Sequence, residues 1–405
     1  MSEFLLNEVC ELIVDCPHTT ANDEGKGFPL VRTPNIGKGR LVYDGMHRVC
    51  EDVYNKRNAR AIPQENDLIF AREATAGNVA LIQKGEKVCL GQRTVLIRPN
   101  QEKVNPAFLT YFLLAPKQQH NLLSTANGAT VAHVNLPTIR NLKIDLPELP
   151  TQHRIASILS RYDSLIENYQ KQIKLLEEAA QRLYKEWFVD LRFPGHENTN
   201  IIDGVPEGWE KKTIDDVTCK ITTGLNPRKN FVLGKGSNYY VTIKNMADNT
   251  LFLDDRCDRV DNEALEKINK RSDLKIGDIL FSGIGTIGRV ALVYIPTNNW
   301  NVSESVFTLR ANDIVTKEFL YLMLLSPDMQ NYCQSNAHGA AQKGIRMADL
   351  KAYSFNLPPF GVIQKFTNLV TPTIKKVSSI RNQIRLLTEA RDRLLPRLMN
   401  GEIAV

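Results

Sequence analysis

The chain has 405 residues, of which 42% are hydrophobic and 24% charged, with a formal net charge of +6. That balance excludes a largely disordered, a collagen-like or a disulfide-scaffold chain. At roughly 100–200 residues per domain, the length predicts two to four domains, and the positive surplus permits a polyanionic partner without demanding one.

The N-terminal run MSEFLLNEVCELIVDC has no basic lead and no small-residue cleavage site, so no signal peptide is expected. Cys10, Cys16, Cys50, Cys89, Cys219, Cys257 and Cys333 are scattered without a CxxC pair. This pattern predicts reduced thiols in a cytoplasmic protein rather than a disulfide framework or a zinc site. Residues 1–150 mix short β-like runs (LIFA, VALI, TVLI) with Gly, Pro and Asn turns and predict an α+β globular domain. A helix-like segment spans 106–124. Its apolar run FLTYFLLA (108–115) is far short of the ~20 residues a membrane span needs, so no membrane partner is expected. A Pro-bounded extended piece leads into a long helix predicted from Thr151, its cap, to Asp190. Ile155, Leu159, Tyr162, Ile166, Tyr169, Ile173, Leu176, Ala180, Leu183 and Trp187 recur at alternating steps of four and three, which is a heptad seam. A linker to residue 198 closes this central segment. Residues 199–361 repeat the globular pattern (ILFS, VALVYI, SVFTLR), with a helix-like segment at 317–335. A second long helix is predicted within 362–405, where Thr373 and Arg391 interrupt the apolar seam and Pro372 and Pro396 are expected to weaken or kink the ends.

One offset of 211 residues aligns most of the chain with itself. NDLIFAREATAGNVALI (66–82) falls on GDILFSGIGTIGRVALV (277–293), identical at seven of 17 positions, and QIKLLEEAAQRL (172–183) falls on QIRLLTEARDRL (383–394), identical at eight of 12. FLTYFLLAPKQQ (108–119) likewise falls on FLYLMLLSPDMQ (319–330). The chain therefore reads as two copies of one unit. The fold expected is α+β: two duplicated mixed α/β domains separated by two long antiparallel helices in a coiled coil, with pseudo-twofold symmetry. About 35 helical residues at 1.5 Å each would make each helix a rod of about 50 Å.

Motifs of catalysis are missing. GIGTIG (283–288) fits the dinucleotide pattern GxGxxG, but a β-like run follows it instead of a helix, so it reads as a tight hairpin turn. NLPPF (356–360) resembles the NPPF loop of amino-methyltransferases with an extra leucine, and reads as a strand-to-helix connection. The sequence contains no phosphate loop, no HExxH and no GxSxG, and the seven histidines lack metal-ligand spacing. No residue is assigned to catalysis, to a metal or to a cofactor.

Polar and basic residues cluster instead in turns that recur in both copies. The first copy offers Arg32, Asn35, Arg72, Gln92, Arg93, His133 and Asn135; the second offers Arg228, Lys229, Lys244, Asn245, Arg289, Gln342, Lys343 and Arg346. At the 211 offset Arg72 faces Gly283 and Asn78 faces Arg289. One scaffold carrying two different sets of polar tips is what two readers of two different base sequences would need.

The paired repeats NDLIFAREATAGNVAL and GDILFSGIGTIGRVAL, the run VPEGWEKKTIDDV and the segment QHRIASILSRYDSLIENYQKQIKLLEEAAQRLYKEWFVDLRFPG resemble the specificity subunit of type I restriction-modification enzymes over nearly the whole length. The resemblance implies two target recognition domains, each reading one half of a split double-stranded DNA site, and helices that set the spacer and dock two modification subunits. It implies no catalytic activity and no cofactor on this chain. S-adenosylmethionine, ATP and Mg would act on the modification subunits and on the restriction subunits bound through them. Two other readings stay open: a DNA adenine methyltransferase in its own right with unrecognised cofactor loops, and a coiled-coil adaptor without DNA contact.

Overall fold

The computed structural model describes residues 2–124, 133–247, 249–339 and 343–405. The chain divides into two compact units: Met1–Tyr169 with Gln383–Val405, and Gln170–Asn382.

In the first unit the chain runs through β1 (Ser2–Leu5), β2 (Cys10–Asp15), β3 (Phe28–Val31), β4 (His47–Val49), α1 (Glu51–Arg57), β5 (Leu68–Ala71), β6 (Val79–Leu81), β7 (Cys89–Leu90) and β8 (Thr94–Pro99). Three short helices and a strand follow: α2 (Pro106–Leu114), α3 (Pro116–Ser124), α4 (Leu136–Arg140) and β9 (Lys143–Leu146), before the long α5 (Leu149–Phe188). The strands make a four-stranded sheet in the order β2-β8-β5-β6, a three-stranded sheet β4-β3-β7, and the pair β1-β9. β5 is buried along its full length. Leu68 and Phe70 pack with Val95, Ile97, Phe108 and Phe112 on one face, and Ile69 and Ala71 pack with Val31, Leu90 and Leu96 on the other. A strand covered on both faces needs no alternation, so LIFA reads as a continuous apolar run.

The second unit continues through β10 (Ile201–Ile202), β11 (Val205–Pro206), β12 (Glu210–Thr213), β13 (Thr218–Thr223), β14 (Asn238–Val241), β15 (Met246–Ala247), β16 (Thr250–Leu251), β17 (Asp258–Val260), α6 (Asn262–Ser272), β18 (Ile279–Ser282), β19 (Val290–Leu292), β20 (Trp300–Val302) and β21 (Val306–Ala311). It ends with α7 (Lys317–Leu324), α8 (Pro327–Ser335), α9 (Met347–Lys351), β22 (Ser354–Leu357) and the long α10 (Phe360–Met399). The sheets repeat those of the first unit: β13-β21-β18-β19, β17-β14-β20 and β12-β22. Even the irregularities recur. β2 slips register against β8 between Cys10 and Leu12, and β13 slips against β21 between Thr218 and Lys220. In each unit a buried aspartate just before β5 or β18 takes a two-pronged arginine: Asp67 from Arg98 at 2.8 and 2.7 Å, Asp278 from Arg310 at 2.7 and 2.9 Å.

The long helices contribute to both units, because the division falls after Tyr169 in α5 and after Asn382 in α10. Within each unit the two helix portions run antiparallel. In the first, Ile155 and Leu159 share a core with Leu398 and Met399, and Asp163 pairs with Arg391 at 2.7 Å. In the second, Glu177 pairs with Arg381 at 2.5 Å, while Tyr184 and Trp187 pack with Phe366. Arg391, which interrupts the apolar seam, thus has a specific carboxylate opposite it. The same Asp163 accepts the Tyr111 hydroxyl at 2.5 Å, and burial, then the adjacent charge, pushes that phenol up. Phe188 stacks edge-on against Phe319 and Phe366, and Phe193 lies against Trp209, so the aromatic end of α5 is part of the second unit's core.

One helix boundary needs correction. α5 begins at Leu149 rather than at Thr151, because Pro150 sits in the first turn, where a missing N–H costs nothing. α10 is helical through both Pro372 and Pro396. Apolar residues around each proline, Val370 and Ile374 in one case and Leu398 and Met399 in the other, are buried in the unit cores, and that packing offsets the lost backbone bonds. Among the described residues no helix is long and apolar enough to cross a membrane.

Candidate nucleic-acid interface

The polar turns expected from the sequence gather around one hairpin in each unit. GIGTIG is the turn of the antiparallel hairpin β18–β19, with Ile279 opposite Leu292 and Phe281 opposite Val290, and residues 72–78 make the matching turn between β5 and β6. Gly77 and Gly288 have φ of 89° and 88°, a region that favours glycine. Each hairpin is latched by a glutamine at the start of a short helix. Gln119 donates to the carbonyls of Gly77 and Leu113 at 2.8 and 2.7 Å; Gln330 donates to Gly288 and Leu324 at 3.0 and 2.8 Å.

On one flank the hairpin holds a short turn. Asn35 (2% exposed) accepts the backbone N–H of Arg32 and donates to Val42, and Asn245 (0%) accepts from the N–H and hydroxyl of Thr242. The hairpin then clamps that turn: Asn78 donates to the Ile36 carbonyl at 2.9 Å, and the Arg289 guanidinium donates to the carbonyls of Ile243 and Met246. Asn35, Asn245 and Arg289 were expected to face DNA. Asn35 and Asn245 are buried inside the protein instead, and Arg289, half-buried, spends its Nη1 on two turn carbonyls, because buried turn carbonyls and N–H groups must be satisfied. Arg32 caps the first turn and donates to Gly45 at 3.1 Å.

On the other flank of the first unit four expected residues do come together. Arg72 is buried (7% exposed) and donates through Nε to the Val134 carbonyl at 3.0 Å and through Nη1 to Asp15 at 2.6 Å. Its Nη2 lies 2.9 Å from His133 Nε2. A guanidinium can only donate, so Nε2 accepts and the imidazole proton sits on Nδ1, which donates to Glu73 at 2.7 Å. The other Glu73 oxygen pairs with Arg93 Nη1 at 2.7 Å. Gln92, next in line, donates to the His18 carbonyl at 3.3 Å. Arg72, like Asn35, is a buried strut rather than an exposed tip. Asn135 is half-buried at the N-terminus of α4.

The second unit presents its cations differently. Arg228 and Lys229 are exposed on the turn Pro227–Lys229, which Asn226 caps and fastens to Glu304 at 2.8 Å. Lys244 is exposed and pairs with Asp258 at 3.1 Å. Lys343 is exposed and offers its carbonyl to Gly285 in the GIGTIG turn at 2.7 Å, and Arg346 is exposed at the start of α9. Gln342 lies outside the described residues.

Sequence reasoning passed over Asp15 and Glu73. It sought partners for a polyanion and so ignored acids, yet a buried arginine requires a counter-ion. It also passed over Gln119 and Gln330, although their identity at the 211 offset was a visible signal.

These features stand on a chain with known relatives. The chain belongs to the type I restriction modification DNA specificity domain family, whose pattern it matches over residues 1–178 and again over 206–384. It is 25% identical over 388 residues to the type I restriction enzyme MjaIX specificity subunit of Methanocaldococcus jannaschii, covering 94% of this chain and 88% of that one. It is 24% identical to the HindI specificity subunit of Haemophilus influenzae, covering 76% and 80%. The fold is that of the crystallised type I restriction-modification S subunit of M. genitalium, with a TM-score of 0.59 at 16% identity over 98% of this chain and 95% of that one.

Proposed function

We propose that this chain is the sequence-reading subunit of a type I restriction-modification enzyme and that each unit reads one half of a bipartite duplex DNA site. The observation that carries this reading is the exchange of side chains on a constant backbone. Both units repeat the same sheets, bulge, latch and aspartate–arginine pair, while the loop tips around the hairpin differ. Loops held by a rigid scaffold are where recognition varies without loss of fold.

Chemistry is assigned to partners. Two modification subunits dock on the long helices and supply S-adenosylmethionine for adenine methylation; restriction subunits, joined through them, use ATP and Mg. The complex works in the cytoplasm. The relatives support this assignment by their names as specificity subunits, and an independent methyltransferase is not favoured. The deciding experiment maps methyladenine in a host with and without this gene. A split motif with two unrelated halves that vanishes with the gene is the expected result. Calorimetric binding of S-adenosylmethionine to the isolated chain would overturn the division of labour.

A further inference from the structure

The two hairpins permit a position-by-position comparison, because backbone hydrogen bonds fix the equivalences. Arg72 N donates to the Arg93 carbonyl at 3.0 Å, and Gly283 N donates to Ser305 at 3.0 Å. Val134 N donates to Arg72 at 3.0 Å, and Ile345 N donates to Gly283 at 2.8 Å. So Arg72, Glu73, Arg93 and His133 of the first unit stand where Gly283, Ile284, Ser305 and Gly344 stand in the second. Four polar side chains in one unit correspond to two glycines, a serine and an isoleucine in the other. The exchange extends inward. The Phe307 ring occupies the space a Cβ at Gly283 would need, its atoms 2.5 to 2.9 Å away, and stacks on Phe281; β8 carries Val95 at the matching sheet position.

Only one head of the first unit's cluster reaches outward with donors to spare. Arg72 is enclosed, with all three of its nitrogens engaged, and His133 uses both ring nitrogens within the cluster. The Arg93 side chain is 55% exposed, and among the described residues Glu73 is its partner through Nη1 alone. Arg93 also has a φ of 66°, which turns the loop between β7 and β8 sharply at that residue. The chain Asp15–Arg72–His133–Glu73–Arg93 therefore runs from the buried sheet end to one exposed guanidinium, with a carboxylate against one edge of its fork.

We infer that Arg93 is the base-reading residue of the first unit, that its ligand is the major-groove edge of a guanine, and that Glu73, His133 and Arg72 position it. The inference rests on the half-site reading proposed above. A guanidinium fork matches the paired O6 and N7 acceptors of guanine. A carboxylate holding the opposite edge removes rotamer freedom before DNA arrives, so less order is lost on binding. Among the described residues the second unit has no equivalent fork at this place, and it reads its half-site with other groups.

The test is methylated-site mapping in hosts carrying the full chain with its partner subunits, for wild type, Arg93→Ala, Arg93→Lys, Glu73→Gln and, as the control in the second unit, Ser305→Ala. Arg93→Ala is expected to lower the preference for guanine at one position of one half-site by roughly 5- to 150-fold while leaving the other half unchanged. Arg93→Lys keeps the charge but not the fork and should relax the same position. Glu73→Gln should relax it less. Ser305→Ala should leave that half intact. An unchanged motif in Arg93→Ala overturns the inference. So does weaker methylation at every site with the motif intact, the mark of a phosphate contact. Relaxation of both halves by Arg93→Ala overturns it as well. Failure of the wild type to yield a split motif would instead overturn the underlying half-site reading. Thermal unfolding of Arg93→Ala, an exposed substitution, should match wild type and separates a specificity effect from a folding one.

Discussion

Asn35 and Asn245 are loop asparagines that never reach the surface. Each closes a short turn by accepting a backbone N–H, and each is nearly or fully buried. Replacing either with alanine leaves that N–H without its acceptor and is expected to cost about 1–3 kcal/mol, read as a lower urea midpoint of the affected unit. The cysteines make a second, chemical prediction. Burial pushes the Cys10 and Cys333 thiols up to about 12 and Cys89 up to about 11, while Cys50 and Cys219 are exposed. In the folded chain at pH 8, iodoacetamide should therefore modify Cys50 and Cys219 well before the other three, because the thiolate is the nucleophile. Mass spectrometry of a labelling time course checks this, and fast labelling of Cys333 would contradict its packing in the second core.

At the scale of the element, the glycine hairpin is the unit of design that recurs most faithfully. Its turn needs a positive φ at Gly77 or Gly288, and the latching glutamine leaves no space for a Cβ there. Gly77→Ala or Gly288→Ala is expected to destabilise its unit by at least about 1 kcal/mol, through both the strained φ and displacement of the latch, and calorimetry would show one unfolding transition moving down while the other stays. This hairpin was legible in the sequence because β-like runs flanked a glycine turn twice, 211 residues apart. The heptad seams were legible for the same reason of periodicity. What stayed hidden was the direction of individual side chains. Arg72, Arg93 and Arg289 all sit in polar turns, yet Arg289 clamps two carbonyls, Arg72 balances Asp15, and Arg93 alone of the three is largely exposed. Burial and partners of that kind depend on loops far apart in sequence, such as residues 15, 72 and 133, which no local pattern connects.

For the whole molecule the long helices matter most. Each has 40 residues, about 60 Å at 1.5 Å per residue. The ion pairs Asp163–Arg391 and Glu177–Arg381 fix the antiparallel register on either side of the division at Tyr169 and Asn382. If the helices set the spacer, inserting four residues after Tyr169 and four after Asn382 adds about 6 Å to both while turning each only slightly past one full turn. The expected outcome is the same two half-sites separated by one or two more base pairs, at about 3.4 Å per pair. Mapping methylated sites decides it: new half-sites at the old spacing would exclude a helical ruler.

The first unit is assembled from residues 1–169 and 383–405, whereas the second is one continuous stretch, 170–382. During synthesis the second can therefore complete its core while the first still lacks Leu398 and Met399. The expected order of folding is the reverse of the order along the chain: residues 1–169 must wait, with Ile155 and Leu159 uncovered, for residues 383–405. A chain ending at Asn382 should keep a protease-resistant core within 170–382 and lose the resistance of residues 1–169. Digestion followed by mass spectrometry would show it, and equal survival of both would mean that the last helical turns only decorate a first unit already able to fold. The same timing leaves the first unit open to chaperones, proteases or another chain's helix for the whole interval in which its final 23 residues are being made.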